Sequence, residues 1–377
     1  MQHRARFDLL LFRIEDHMQQ KQTYNPALSG NPISPLAYPN GNPDLPYNRP
    51  GAKNTDSCVP ARHREEVTHN YACDGPAPGD IYFKWIYGSP IAALNHDPRI
   101  QALQYNEDTY ILRQNICVHW EGPFTYLLFG NRGALLVDAG ATPEASYYPL
   151  RRTVDAIILR WSQARGKKNV PLTIALTSGE DIAQNQGLAQ FADRPDTKIA
   201  PQSLSAMKQF YGLAASWPEG IAQIDLGNRI VDIIPTPGTH KDGLTFYDRY
   251  NDFLHTGDIL FPGKINIAND RDYVASLARL KKWKDAHSVK WIMGGHVEMQ
   301  FVPGKAYPRF YTYKPYEHLL QLEPSLIDEA LTYAQQVQGQ QLVLIRPEFI
   351  LLNRVGPDQR TTVFPEGVPN ITAPRPF

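Results

Sequence analysis

From residue 109 onward, short apolar runs alternate with helix-like stretches, and each run breaks off at a small, polar turn. "TYILRQNICVHW", "FTYLLFG" and "GALLVDAG" read as three strands separated by turn signals. "PLRRTVDAIILRWSQARG" then carries Leu150, Val154, Ile157, Ile158 and Trp161 at helical spacing. The strand "LTIALTS", the helix-like "DIAQNQGLAQF", the strand "TKIAPQ" and the helix "LSAMKQFYG" follow. After them come the strands "GIAQIDLG", "RIVDIIPTPG", "LTFYDRY" and "DFLHTGDIL", the helix "RDYVASLARLKKWKDAH" and the strand "VKWIMGGHVEM". Strands grouped around interspersed helices fit two packed sheets with helices outside them, an α/β (α+β) layered fold.

The flanks differ in texture. Residues 1–108 form an extension, rich in Pro, Asn and Gly over 22–80, that reads as irregular and packs on the core or serves contact between copies of the chain, a homo-oligomer. Residues 109–300 are the core, and 301–377 hold a helix near 317–338, a strand "QQLVLIRPEFILL" and a Pro-rich tail. "IYFKWIYG" (81–88) reads as a strand, and "YPRFYTYKPYEH" (307–318) as core, interface or a pocket wall.

Composition narrows the class of partner. Lys+Arg and Asp+Glu balance at 38 each, which leaves no electrostatic footprint for nucleic acid or an anionic membrane. With 42% hydrophobic and 20% charged residues, the chain can bury a sizeable core. The apolar patch in "MQHRARFDLLLFRIEDHMQQ" is interrupted by Arg13, Glu15 and Asp16, so it reads as neither signal peptide nor membrane span. Cys58, Cys73 and Cys117 match no zinc knuckle, and an odd, low count fits a reducing compartment. A soluble cytoplasmic protein acting on a small molecule is the expectation.

Four stretches in fixed order carry a resemblance: "YLLFGNRGALLVDAG" (126–140), "IALTSGEDIA" (174–183), "IIPTPGTHKDGLTFYD…FLHTGDILFPG" (233–263) and "WIMGGHVEM" (291–299). Together they resemble the metallo-β-lactamase fold over roughly residues 110–300. The resemblance implies an αββα sandwich with a metal site at the strand ends, where a His-x-His-x-Asp-His loop, a His after Pro-Gly, the Asp of Thr-Gly-Asp and a Gly-His supply ligands for two ions. It also implies a metal-activated water attacking an acyl or phosphoryl centre.

This chain departs from that pattern. Aligned on Gly179, Ile182, Ala183 and Asn185, the ligand positions become Leu176, Ser178, Glu180 and Asp181. A second register places Ser178, Glu180, Ile182 and Ala183 there, and neither restores a histidine. Thr239 stands where Pro-Gly-His is expected, with His240 one place on, while Asp258 and His296 match. The three-histidine site is lost. The other site, read as metal ligands Glu180, Asp181, Asp258 and His296, suits one divalent ion, Mn, Fe or Zn, or none. His240, Asp258 and His296 are the catalytic set. The implied activity is hydrolysis of an ester, lactone or thioester. The alternative is a metal-free binding or regulatory protein, or a lyase, isomerase or cyclase reusing the pocket. Glu180 and Asp181 also fit a helix N-terminus with Ser178 as its cap. Asp138 of "VDAG" reads as structural. Ser178 as a nucleophile, with His240 or His296 as base, lacks a Gly-x-Ser-x-Gly context, and "RHREEVTH" (62–69) lacks metalloprotease spacing.

Overall fold

The computed structural model describes residues 69–71, 79–353 and 362–363. Most of the Pro/Asn-rich extension, "RHREEVTH" apart from His69, Cys58, Cys73 and the Pro-rich tail lie outside the described residues.

The first sheet has the order β1-β2-β3-β4-β5-β6 (Ile100–Asn106, Thr109–Gln114, Phe124–Phe129, Ala134–Val137, Leu172–Ala175, Thr197–Ile199). It is antiparallel through β4 and parallel from β4 to β6. Helix α1 (Leu150–Ala164) supplies the crossover from β4 to β5 that parallel pairing requires. The second sheet runs β13-β12-β10-β9-β8-β7, built from Ala222–Asp225 (β7), Ile230–Pro235 (β8), Leu244–Asp248 (β9), Phe253–Gly257 (β10), Trp291–Gly294 (β12) and Gln321–Leu322 (β13). Its β10–β12 pair is parallel, joined through α4 (Asp270–Ala286). A third sheet, β11-β15-β14-β16, pairs Lys264–Ile267 (β11) in parallel with Ile350–Asn353 (β15), beside Leu342–Ile345 (β14) and Thr362–Val363 (β16).

The layer order follows from alternation along the strands. Ile111, Tyr126, Leu128, Leu135 and Val137 point into the cluster between the sheets with Val231, Ile233, Phe246, Phe253 and Met293. Their neighbours Leu112, Leu127, Phe129, Ala134 and Leu136 point outward onto Val154, Ile157, Ile158 and Trp161 of α1. On the far side, Leu254 and Ile292 meet Tyr273, Leu277 and Leu280 of α4 and Ile327, Ala330 and Ala334 of α5 (Leu326–Val337). The result is the expected αββα sandwich. Leu127 and Leu128 are both fully buried, one on each face of β3, and truncating either to Ala costs about 2–5 kcal/mol.

Local readings differ from the structure in instructive ways. β1 begins at Ile100, so the sheet starts ahead of residue 109. β2 stops at Gln114, because Asn115 turns the chain by accepting from the Cys117 N–H at 2.8 Å. The stretch 81–88 makes only an isolated bridge, Gly88 to Tyr313. "QQLVLIRPEFILL" is two strands, split at Pro347, whose ring has no donor for a ladder. The helix expected from Asp181 is one α-turn, α2 (Ile182–Asn185), continued by a 3₁₀ segment Gln186–Phe191, and the helix expected at "LSAMKQFYG" is α3 (Leu204–Phe210). Among the described residues, no helix is long and apolar enough to cross a membrane.

Candidate functional site

The ends of β4, β5, β8, β10 and β12, with the loop 115–123 between β2 and β3, gather at one end of the sandwich. Phe124 at the start of β3 donates its N–H to Gly295 O at 2.8 Å, joining the two sheets there. Below the loop after β5 lies Asp138, in the left-handed region at φ 65°. Its carboxylate accepts from the Thr177 N–H at 2.7 Å and from the Thr177 hydroxyl at 2.9 Å. That is the structural role its motif suggests.

The first ligand positions of the family are filled by other chemistry. Leu176 is buried and apolar. Ser178 donates its hydroxyl to Asp242 Oδ1 at 2.7 Å, and Asp242 Oδ2 accepts from the N–H groups of Gly179 at 2.7 Å and Glu180 at 3.2 Å. Asp242 is itself buried. A carboxylate from the neighbouring loop thus holds the backbone of 178–180 in place. Thr239, beside Ser178, lines a cavity of about 10 Å³, the size one water needs.

The other half of the site retains charge. The cap of α2 is Asp181 rather than Ser178: Asp181 Oδ1 accepts from the Ala183 N–H at 2.8 Å. Its second oxygen faces His240 Nε2 at 3.5 Å. Capping and site formation, alternatives in the sequence, are performed by the two oxygens of one carboxylate. Asp258 follows Gly257, whose φ of +52° and approach to Thr177 exclude a side chain. Asp258 Oδ2 lies 3.8 Å from His240 Nε2, and Asp258 Oδ1 lies 3.5 Å from His296 Nδ1. The groups form a chain, Asp181–His240–Asp258–His296. Glu180 is not part of it: its exposed carboxylate pairs with Lys241 Nζ at 2.6 Å.

Electrostatics follow from that chain. Burial would depress the His240 imidazole, but the carboxylates of Asp181 and Asp258 overcome it and raise the group to about 10. His296 is likewise raised to about 9 by Asp258 against its own burial. Burial pushes Asp258 up, yet the two imidazoles outweigh it and hold it well below the carboxylate range. Asp181 is shifted upward by burial and by the charge of Asp258.

Two groups of the 115–123 loop face the same site and were not foreseen. Burial drives Glu121 up to about 7, with His296 pulling the other way. Burial also drives His119 down to about 4. Their nearest atoms, His119 Nδ1 and Glu121 Oε2, are 3.8 Å apart. The strand reading "TYILRQNICVHW" takes in His119 and stops before Glu121, and the only signal in the sequence is an acid and a histidine flanking Trp120.

The donors present fit one ion and not two. One atom each of Asp181, His240 and Asp258 lie within 4.8 Å of one another. Asp258 Oδ1 is buried without a hydrogen-bond partner. Carboxylate oxygens with one imidazole suit a borderline or hard divalent ion. On the other side, Leu176 has no donor, and the Ser178 hydroxyl is committed to Asp242.

The family model described as "Metallo-beta-lactamase superfamily" matches residues 120–322. Over 80 residues the chain is 30% identical to "Acyl-coenzyme A thioesterase MBLAC2" of Gallus gallus, covering 20% of this chain and 29% of that protein. The match thus spans less than a third of that curated relative. Among solved structures, the chain is similar to an archaeal metallo-beta-lactamase superfamily protein from Sulfolobus tokodaii, at 16% identity and TM-score 0.35, over 59% of this chain and 83% of that one. It is also similar to "Metallo-beta-lactamase from Pontibacter korlensis", at 15% identity and TM-score 0.39, over 63% and 99%.

Proposed function

This chain belongs to the metallo-β-lactamase superfamily, and we propose that it is a hydrolase of an ester, lactone or thioester that works with one divalent ion. The observation that carries the reading is the convergence of Asp181, His240 and Asp258 at the strand ends. The thioesterase named among the relatives points the same way, over a short stretch.

Asp181, His240 and Asp258 would hold the ion, Mn, Fe or Zn. When bound, such an ion supplies Lewis-acid polarisation of an acyl oxygen and acidification of water. The chain's residues do the rest. His296 fixes Asp258 from the far side. Glu121, raised to about 7, can hold or release a proton at Oε2 near neutral pH. Ser178, tied to Asp242, shapes the floor and is not the nucleophile.

One observation favours a second reading. His240 and His296 together balance the charges of Asp181 and Asp258 without any metal, which suits a metal-free binding protein or an acid–base enzyme. Elemental analysis after loading with Mn²⁺, Fe²⁺ or Zn²⁺, alongside hydrolysis of a simple acyl thioester, separates the two. The hydrolase reading expects about one ion per chain and metal-dependent turnover. Metal content near zero under every condition would sink it in favour of the second.

A further inference from the structure

Beyond the reacting groups, the rim of the site carries an exposed aromatic and cationic lip. The stretch after His296 supports segment 307–318 from below. Glu298 O accepts from the Tyr307 N–H at 2.8 Å, Val297 O from Lys314 Nζ at 3.1 Å, and Met299 O from the His318 N–H at 2.9 Å. Lys314 is 1% exposed, so the segment is anchored one residue from His296. Opposite it stands Trp120, between His119 and Glu121.

Phe310 is 66% exposed, and its ring centroid lies 5.3 Å from that of Trp120 at 64°. Its φ of 65° is in the left-handed region, which a bulky aromatic adopts only under constraint. The Arg309 guanidinium sits 5.0 Å from the Phe310 ring and 5.7 Å from the Trp120 ring. Among the described residues it pairs with no carboxylate. Tyr311 and Tyr316 extend the exposed surface. A strained backbone that presents an uncovered ring, with an unpaired guanidinium between two aromatic faces, is poorly explained by packing of this chain alone. It is well suited to a ligand that is apolar along its body and anionic at one point.

We propose that Trp120, Arg309 and Phe310 form the substrate-recognition lip, taking an acyl compound whose apolar part lies on the two rings and whose anionic group meets Arg309. This deepens the hydrolase reading and rests on it. The anion belongs either to the acyl chain or to the leaving group.

Three matched thioesters test it: a neutral acyl chain on a neutral thiol, the same chain ending in a carboxylate, and the neutral chain on a phosphate-bearing thiol. At least one anionic substrate should have a KM about tenfold below the neutral one, and Arg309→Gln should erase that advantage. The arm that responds identifies where the anion sits. Phe310→Gly, which suits the backbone conformation, should raise KM for all three. Equal KM values in the unaltered protein, or an anionic advantage that survives Arg309→Gln, would overturn the proposal. Calorimetric binding of both anionic compounds and the neutral one, as non-hydrolysable analogues, gives a readout free of turnover. A preference for the anion that is lost in Arg309→Gln upholds the lip even if no substrate is cleaved. Turnover without discrimination upholds the hydrolase and removes the lip.

Discussion

The two ends of the sandwich treat buried charge in opposite ways. At the end away from the site, Arg229 is fully buried and spends all its N–H groups. Nε and Nη2 reach Asp248 at 3.0 and 2.6 Å, Nη1 reaches Asp108 O and Phe129 O, and Nη2 also reaches Thr109 Oγ1 at 2.9 Å. At the site end, Asp258 Oδ1, His119 Nδ1 and Glu121 Oε2 are buried without hydrogen-bond partners. Both ends join the same two sheets, so the difference is not one of depth or layer. A charge that has every partner it can use only holds the sheets together, whereas groups left short of partners are available to a ligand or a reaction.

The contrast can be broken first at Arg229. Arg229→Ala leaves Asp248 as an uncompensated buried carboxylate and should cost about 4 kcal/mol of stability by chemical denaturation. Any fraction that folds should keep its metal content. The opposite pattern is expected for Asp258→Asn. It should lower turnover by about a hundredfold to a thousandfold, roughly 3–4 kcal/mol of barrier, and remove the bound metal. A large loss of stability with activity retained would reverse the roles assigned to the two ends.

Acid and base titration sharpen the same comparison in chelator-treated protein. His255, buried on Tyr126 without a hydrogen-bond partner for either ring nitrogen, is lowered by burial from 6.5 to about 4. As pH falls from 6.5 to about 4, the unfolded chain takes up a proton that the folded chain refuses, so stability drops by roughly 3 kcal/mol. For His240 and His296 the sign reverses. Their folded values of about 10 and 9 lie above 6.5, so their contribution is fully present below 6.5 and is lost as pH rises through 9 to 10. Unfolding midpoints measured from pH 4 to 10 should fall on both flanks. The smallest effect belongs to Glu180→Gln. Its surface pair with Lys241 is screened by solvent and contributes little to stability, and neither metal content nor turnover should move.

Much of this was legible in the sequence, for reasons that residues make plain. Strand alternation and helical spacing announce the layers, because Ile111 and Leu112, or Leu127 and Leu128, must face opposite ways. Asp258, His296 and His240 were legible because Gly turns at strand ends leave a recognisable signature. Glu180 illustrates the limit. Beside Asp181 in sequence, it turns to Lys241 because adjacent side chains in an extended loop point apart, and no periodicity says which one faces inward. Asp242, His119 and Glu121 lie in loops, where burial has no pattern. Their roles depend on partners far along the chain, such as Ser178 for Asp242.

The third sheet has a consequence for how the chain comes into being. The parallel partner of β11, the strand that follows the Asp258 turn, is β15, and Ile350 donates its N–H to Gly263 O at 2.9 Å. During synthesis, both sheets of the sandwich and every side chain of the site are made before β15 exists. Until then, β11 presents an open edge to other nascent chains. That open edge therefore persists late into translation, when the residues of the candidate site are already made but the strand paired with β11 is still being added.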